Sequence, residues 1–103
     1  DTLSHTELPM EPLVAPTRLT AETRLEFRRT VLELLESAAR AGDDSVELDL
    51  SRTLEMDASG LGVLVLLQKR ARERGMATKL SRAPQSVRQM LELTRLDALF
   101  ELP

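Results

Sequence analysis

The sequence predicts an α/β fold: a small domain with a four- to five-stranded, mostly parallel sheet, an N-terminal strand at its edge and about four helices. Segments of strand length are separated by segments with the 3.6-residue apolar period of a helix. This order is typical of parallel strands joined by crossover helices. The chain has 103 residues, of which 42% are hydrophobic, and contains no internal repeat. That length is enough for one core but not for two.

The N-terminal part of the sequence shows the weakest secondary-structure pattern. We expect residues 1–7 to be a flexible N-terminus and residues 8–103 to form the domain. Three prolines interrupt residues 8–16, and proline donates no hydrogen bond to a strand ladder. This segment can therefore be no more than an edge strand, at residues 12–14. It is the only strand candidate before Leu19.

A long helix follows. Thr20 is the expected N-cap, Glu22 would lie in the first turn, and Gly42 ends the helix in the usual position of a left-handed glycine. Five apolar residues recur at helical spacing and form one continuous stripe. They are Phe27, Val31, Leu34, Leu35 and Ala38.

Residues 46–50 alternate between apolar and acidic side chains, which predicts a strand with one face on the core. Asp49 is then expected on the solvent side. A second helix is predicted from Ser59 to Gly75, with its first half buried and its charged second half exposed.

Residues 77–80 predict another short strand, and Pro84 suits the start of a third helix, whose Val87, Met90, Leu91 and Thr94 share a face. The chain ends in an apolar tail that must dock on the domain: Leu96, Leu99, Phe100 and Leu102. The residues expected in the core include Leu48, Leu50, Leu61, Leu64, Val65 and Leu91.

The turn between the strand at residues 46–50 and the second helix is the candidate site. Such a turn lies at the carboxyl end of a strand, where ligands and partners meet parallel sheets. Ser59 would lie at the helix N-terminus, where a hydroxyl can cap the helix or carry a phosphate that the helix end stabilises. Asp57 is expected to be a turn or cap residue.

Composition argues against several classes of function. The chain has no cysteine and one histidine, His5, so neither a thiolate metal site nor a Ser-His-Asp triad is expected in the domain. Gly60 and Gly62 form only Gly-x-Gly, without the remaining residues of a dinucleotide or P-loop motif. We therefore expect no enzyme activity, no cofactor and no metal site.

Charge and hydropathy argue against two further partners. Residues 1–58 hold 13 acidic and 6 basic side chains, whereas residues 59–103 hold 4 and 8. The basic residues at 69–74 are interpreted as a solvated helix face, so no direct nucleic-acid binding is expected. No apolar run could span a bilayer and no signal-peptide pattern opens the chain, so we expect no membrane insertion. The absence of cysteine fits a reducing compartment, and we expect a cytoplasmic location. Because residue 1 is Asp, we expect the chain to be a piece of a longer product.

Residues 46–51 (VELDLS) and 56–64 (MDASGLGVL) resemble the core motif of the STAS domain of anti-sigma factor antagonists. Residues 72–75, 83–87 and 91–97 follow the same order and spacing. The resemblance implies a small STAS-like domain in which Ser59 is phosphorylated by a partner serine kinase that is also an anti-sigma factor. The unmodified form would bind that kinase, and a phosphatase would reset the switch. The implied partner-binding residues are Asp57, Ala58, Ser59, Gly60, Leu61 and Gly62.

The sequence departs from this family in two places. One strand candidate precedes Leu19 where the family usually has two. Ala58 occupies a position often held by serine, so Ser59 is the only hydroxyl in the turn.

Other functions stay open at this point. Ser59 could be a plain N-cap, and the domain could be a non-switching STAS adaptor module of a signalling assembly or of a membrane transporter, as a cytosolic subunit or tail. A homodimer is also open. A nucleotide binder or an enzyme lacks the residues to support it.

Overall fold

The computed structural model describes residues 12–103. The predicted flexible segment at residues 1–7 and the position of His5 lie outside this range. Within it, three α-helices pack on two small parallel sheets, which confirms the predicted α/β class. In this part of the chain, no helix combines the length and the apolar character needed to cross a bilayer.

Five short strands form the two sheets. The larger sheet has the order β1 (Leu13–Val14), β3 (Ser45–Asp49) and β5 (Ala77–Ser81), and the smaller one pairs β2 (Arg18–Leu19) with β4 (Glu55–Met56). All pairs are parallel. Strand β1 lies at an edge, as the prolines predict.

The expectation of a single strand before Leu19 is wrong, because β2 follows β1 after three residues. Strand β2 has only two residues, too few to show an alternating pattern. Its partner β4 is equally short, and the sequence pattern did not predict it either. The N-terminal part therefore has the two strands that the family resemblance implies.

Helix α1 spans Arg24–Ala41 with Thr23 as its N-cap, so the expected cap at Thr20 is wrong by about one turn. Thr20 instead begins a tight turn in which the Thr23 N–H donates to the Thr20 carbonyl at 3.1 Å. The Thr23 hydroxyl also accepts the Thr20 N–H at 3.1 Å. The predicted C-terminus is confirmed, since Gly42 has a left-handed φ of 76°.

The remaining helices are α2 (Ala58–Glu73), α3 (Gln85–Leu93) and a 3-10 turn at Asp97–Leu99. The charged residues in the second half of α2 are exposed, whereas Leu67 and Ala71 on the same half are buried. Three of the four apolar residues of the C-terminal tail dock: Phe100 is buried, and Leu96 and Leu102 pack against the core. Leu99 was expected to dock with them but is exposed.

The core lies between the larger sheet and helices α1 and α2. Of the residues expected there, four are fully buried: Leu48, Leu50, Leu64 and Leu91. Leu61 is half-buried and packs against the core. Val65 is only half-buried, because the apolar first half of α2 has more hydrophobic positions than its buried face can hold.

The expectation that Asp49 lies on the solvent side of its strand is wrong, because Asp49 is 1% exposed. It is the last residue of β3, where the chain leaves the sheet. Its Oδ1 accepts the Ser51 backbone N–H at 2.8 Å, and its Oδ2 pairs with the guanidinium of Arg82. The hydrogen bond from the Ser51 backbone is the largest influence that lowers the pKa of the Asp49 carboxyl, against the opposing effect of burial.

Leu64→Ala should lower the free energy of unfolding by about 2–5 kcal/mol, because it removes a fully buried side chain and leaves a cavity. Denaturant unfolding measures this directly. Leu54→Ala is the matched control, since Leu54 is 81% exposed, and it should change stability by less than about 0.5 kcal/mol. Equal effects of the two substitutions would contradict the packing of α2.

Candidate functional site

The candidate residues lie in the turn from β4 into α2. The strand that enters this turn is β4 and not, as expected from the sequence, the strand at residues 46–50. Strand β4 ends at Met56, Asp57 adopts an extended conformation, and the helix begins at Ala58. A strand therefore feeds directly into a helix through one residue. Ser59 lies in the first helical turn.

Asp57 is the N-cap of α2. Its Oδ1 accepts the backbone N–H of Ser59 at 2.8 Å and that of Gly60 at 3.1 Å, which are two of the donors that a helix start leaves unpaired. This confirms Asp57 as a cap residue. The alternative that Ser59 itself caps the helix is wrong, because Ser59 is the second helical residue.

The same carboxylate also holds the loop that precedes α1. Its Oδ2 accepts the Ala21 backbone N–H at 3.1 Å, and the Asp57 N–H donates to the Leu19 carbonyl at 3.1 Å. The Gly60 N–H, followed by those of Ala21 and Ser59, lowers the pKa of Asp57 below its ordinary value. These donors favour the ionised form, so the site carries a fixed negative charge at neutral pH.

Gly60 allows α2 to approach β2 closely. A Cβ built on Gly60 would lie 2.0 Å from the Leu19 carbonyl oxygen and 2.7 Å from the Leu19 Cβ. Neither atom can move away easily, since Leu19 is in a strand and fully buried. Gly60 is therefore required by packing. Gly62, two residues later, differs, because a Cβ added there would meet no atom within 4 Å.

Ser59 faces an open groove between the start of α2 and the first turns of α1, with a volume of about 410 Å³. The Ser59 side chain is half-buried, and its hydroxyl makes no hydrogen bond within residues 12–103. Arg24 and Arg28 of α1 line the same groove. Its apolar lining includes Leu25, which is 72% exposed.

The six sequence-predicted partner-binding residues divide into two groups. Ala58 and Gly62 are exposed and Ser59 is half-exposed, so a partner can touch them. Asp57 and Leu61 are half-buried and Gly60 is buried, and these three hold the turn in place. The structure thus brings all six into one turn but leaves only part of it accessible.

The sequence reasoning missed Arg24, Leu25 and Arg28 as parts of this site. Arginines four residues apart on a helix have the pattern of an ordinary solvated face. Only the packing of α1 beside the start of α2 places them next to Ser59. The resulting site offers a free hydroxyl, two guanidinium groups and one exposed leucine.

Comparisons with known proteins bear on the family and the fold of the chain. A family model described as "Mlab, STAS domain" matches residues 13–101. The crystal structure of a candidate anti-sigma factor antagonist from Thermotoga maritima superposes with a TM-score of 0.74 at 24% identity, covering 95% of this chain and 87% of that one. An NMR structure of the same protein, TM1081, gives a TM-score of 0.69 at 24% identity, covering 87% of this chain and 70% of that one. At this identity the two structures support the fold alone.

Gly60→Ala and Gly62→Ala should change stability in opposite directions. The first forces a methyl group into the Leu19 backbone and should cost about 1–3 kcal/mol or more. The second adds a good helix former at an exposed, open position and should gain about 0.5–1 kcal/mol. Denaturant unfolding of the pair measures both. A stabilising Gly60→Ala would rule out the close contact between α2 and β2.

Asp57→Asn should lower the stability of the domain at pH 7, because an amide is a weaker acceptor for the three backbone N–H groups. Since the folded-state pKa of Asp57 is lowered, the carboxylate stabilises the fold above its unfolded pKa of about 3.9. That contribution is lost as the pH falls through the folded-state value. The stability gap between the wild type and Asp57→Asn should therefore close on acidification.

The measurement is urea unfolding of both proteins from neutral pH down to strongly acidic pH. Asp43→Asn, which removes an exposed carboxylate beyond the end of α1, controls for the loss of one negative charge. A gap for Asp57→Asn that stays constant down to the lowest pH would contradict the capping role of the ionised carboxylate.

Proposed function

Because this chain belongs to the STAS domain family, we propose that it is an anti-sigma factor antagonist that acts in the cytoplasm. Its unmodified form binds an anti-sigma factor that is also a serine kinase. Phosphorylation of Ser59 by that kinase releases it, and a phosphatase restores the binding form. The similarity to the candidate antagonist from Thermotoga maritima is consistent with this class.

The observation that carries the proposal is the position of the Ser59 hydroxyl. It lies in the first turn of α2, in an open groove, and makes no hydrogen bond within residues 12–103. By contrast, the Ser81 hydroxyl donates to the Leu48 carbonyl at 3.4 Å. In the transfer step the Ser59 oxygen bonds to the γ-phosphorus of ATP, its proton passes to a base of the kinase, and ADP leaves.

The volume and the charge of the phosphate on Ser59 would both act against partner binding. A phosphate adds about −1.5 to −2 charge at pH 7, next to the ionised Asp57. A partner packed over Ala58 and Gly62 would meet both the added volume and the added negative charge. The phosphate would lie in an open groove on the surface and would not have to enter the core. Phosphorylation should therefore weaken binding without unfolding the domain.

Substitutions of Ser59 separate binding from stability. Ser59→Ala should leave the fold as stable as the wild type or up to about 0.5 kcal/mol more stable, because Asp57 keeps the cap and alanine favours helix. It should bind the kinase like the wild type. Ser59→Asp should stay folded, since a carboxylate suits a helix N-terminus, yet bind about tenfold more weakly or worse, about 1.4 kcal/mol. Isothermal titration with the anti-sigma factor kinase measures both affinities.

Ser86 provides the matched control. It is an exposed serine and the second residue of α3, so Ser86→Asp adds the same charge at an equivalent helical position and should bind like the wild type. With kinase and ATP, mass spectrometry should map one phosphate to Ser59. A phosphate on Ser51, Ser81 or Ser86 would overturn the switch and favour a non-switching adaptor module. Equal affinities of the wild type, Ser59→Ala and Ser59→Asp for the kinase would do the same.

A further inference from the structure

We propose that Arg24 and Arg28, here called the arginine pair, hold the phosphate of phosphorylated Ser59 within the groove of this same domain. The inference rests on the proposed function only in taking Ser59 as the modified residue. The arginine pair would supply positive charge from within the domain. The group that it would bind is the phosphate monoester on Ser59, which lies on the neighbouring helix α2.

The arginine pair is placed for this role by two features. Both arginines line the groove that Ser59 faces, and their spacing of four residues puts them on the same side of α1. Both are exposed. Within residues 12–103 neither forms an ion pair, whereas two neighbours on the chain do: Arg18 pairs with Glu22 and Glu55, and Arg29 pairs with Glu26.

The phosphate needs such a counter-charge because the usual anion site at a helix start is already occupied. The Asp57 carboxylate accepts the N–H groups of Ser59 and Gly60, so these donors are not free for a phosphate. The carboxylate also repels it, since like charges at short distance disfavour ionisation of both groups. The helix dipole still favours a negative charge at this end, but with these two N–H donors taken a phosphate gains fewer hydrogen bonds here than at an unoccupied helix start.

Arginine meets this need better than lysine. Its planar guanidinium presents five N–H donors in a fork that matches phosphate oxygens in a bidentate geometry, and its long side chain can span a groove between neighbouring helices. The groove is open to solvent, so screening and the loss of side-chain freedom limit the gain. We therefore expect a measurable but moderate effect on the phosphate.

One consequence concerns the partner surface. In the unmodified protein, the arginine pair and the exposed Leu25 lie beside Ser59 and are accessible to a partner. Once the arginines contact the phosphate, their charge is neutralised within the domain. Modification would therefore add negative charge and remove accessible positive charge at the same surface.

The test uses a protein with phosphoserine incorporated at position 59 during synthesis, so that no kinase is needed. The phosphate pKa, which is about 6 for an unperturbed phosphoserine, is followed by ³¹P NMR titration. In Arg24→Gln/Arg28→Gln it should be higher than in the otherwise unaltered protein by about half a unit to one unit, because two opposing charges are lost. Arg29→Gln is the control, since Arg29 lies outside the groove and pairs with Glu26; it should leave the pKa unchanged.

The outcomes are distinct. A higher phosphate pKa in the double variant but not in Arg29→Gln supports the proposal, and partial recovery in Arg24→Lys/Arg28→Lys would show that charge and fork geometry both contribute. Equal pKa values in the unaltered protein and the double variant, or an equal shift in Arg29→Gln, would overturn it. Because the phosphate is installed without the kinase, this result is independent of whether a kinase modifies Ser59. Conversely, failure of the arginine pair to hold the phosphate would leave the binding switch of Ser59 intact.

Discussion

The Asp57 carboxylate is the interaction on which the candidate site depends. One oxygen caps α2 and the other binds the loop that leads into α1. The two helices are far apart in sequence, yet their starting points are fixed by the same side chain. The groove beside Ser59 exists because of this link, since its two walls are the first turns of those helices.

Close packing between α2 and β2 also holds this turn in place. Gly60 lets α2 rest on the Leu19 carbonyl, and Leu19 itself is fully buried, as is Leu64 one helical turn beyond Gly60. A turn that is anchored by hydrogen bonds on one side and by close packing on the other has little freedom to rearrange. Chemical modification of Ser59 would therefore change the shape and the charge of the surface and leave the fold unchanged.

The longer elements could be predicted from the sequence, and the failures have physical causes. Helices with a continuous apolar stripe and the five-residue strand β3 carry enough periodic positions to be recognised. Strands β2 and β4 have two residues each, too few for an alternating pattern. The prediction for Asp49 was wrong because an alternating pattern places polar residues on the solvent side, whereas a polar residue at the end of a strand can point inward and accept a nearby backbone N–H.

The site was only partly predictable for a related reason. The run from Asp57 to Gly62 is contiguous, so a local motif contains the cap, the hydroxyl and the packing glycine, whereas the arginine pair comes from a different helix and its position depends on how α1 packs beside α2.

The charge around the groove beside Ser59 differs from the net charge of the whole chain. A partner bound at the groove would interact mainly with this local charge. The protein has a formal net charge of −3, but the groove and the cap of α2 beside it bring together the two guanidinium groups of the arginine pair and the carboxylate of Asp57. A phosphate of about −1.5 to −2 charge would change the local sum from one positive charge to between roughly half and one negative charge. Since the screening length at physiological ionic strength is about 8 Å, this reversal acts mainly on groups in direct contact with the groove. A switch built in this way depends on where the partner docks and is insensitive to the acidic character of the rest of the chain.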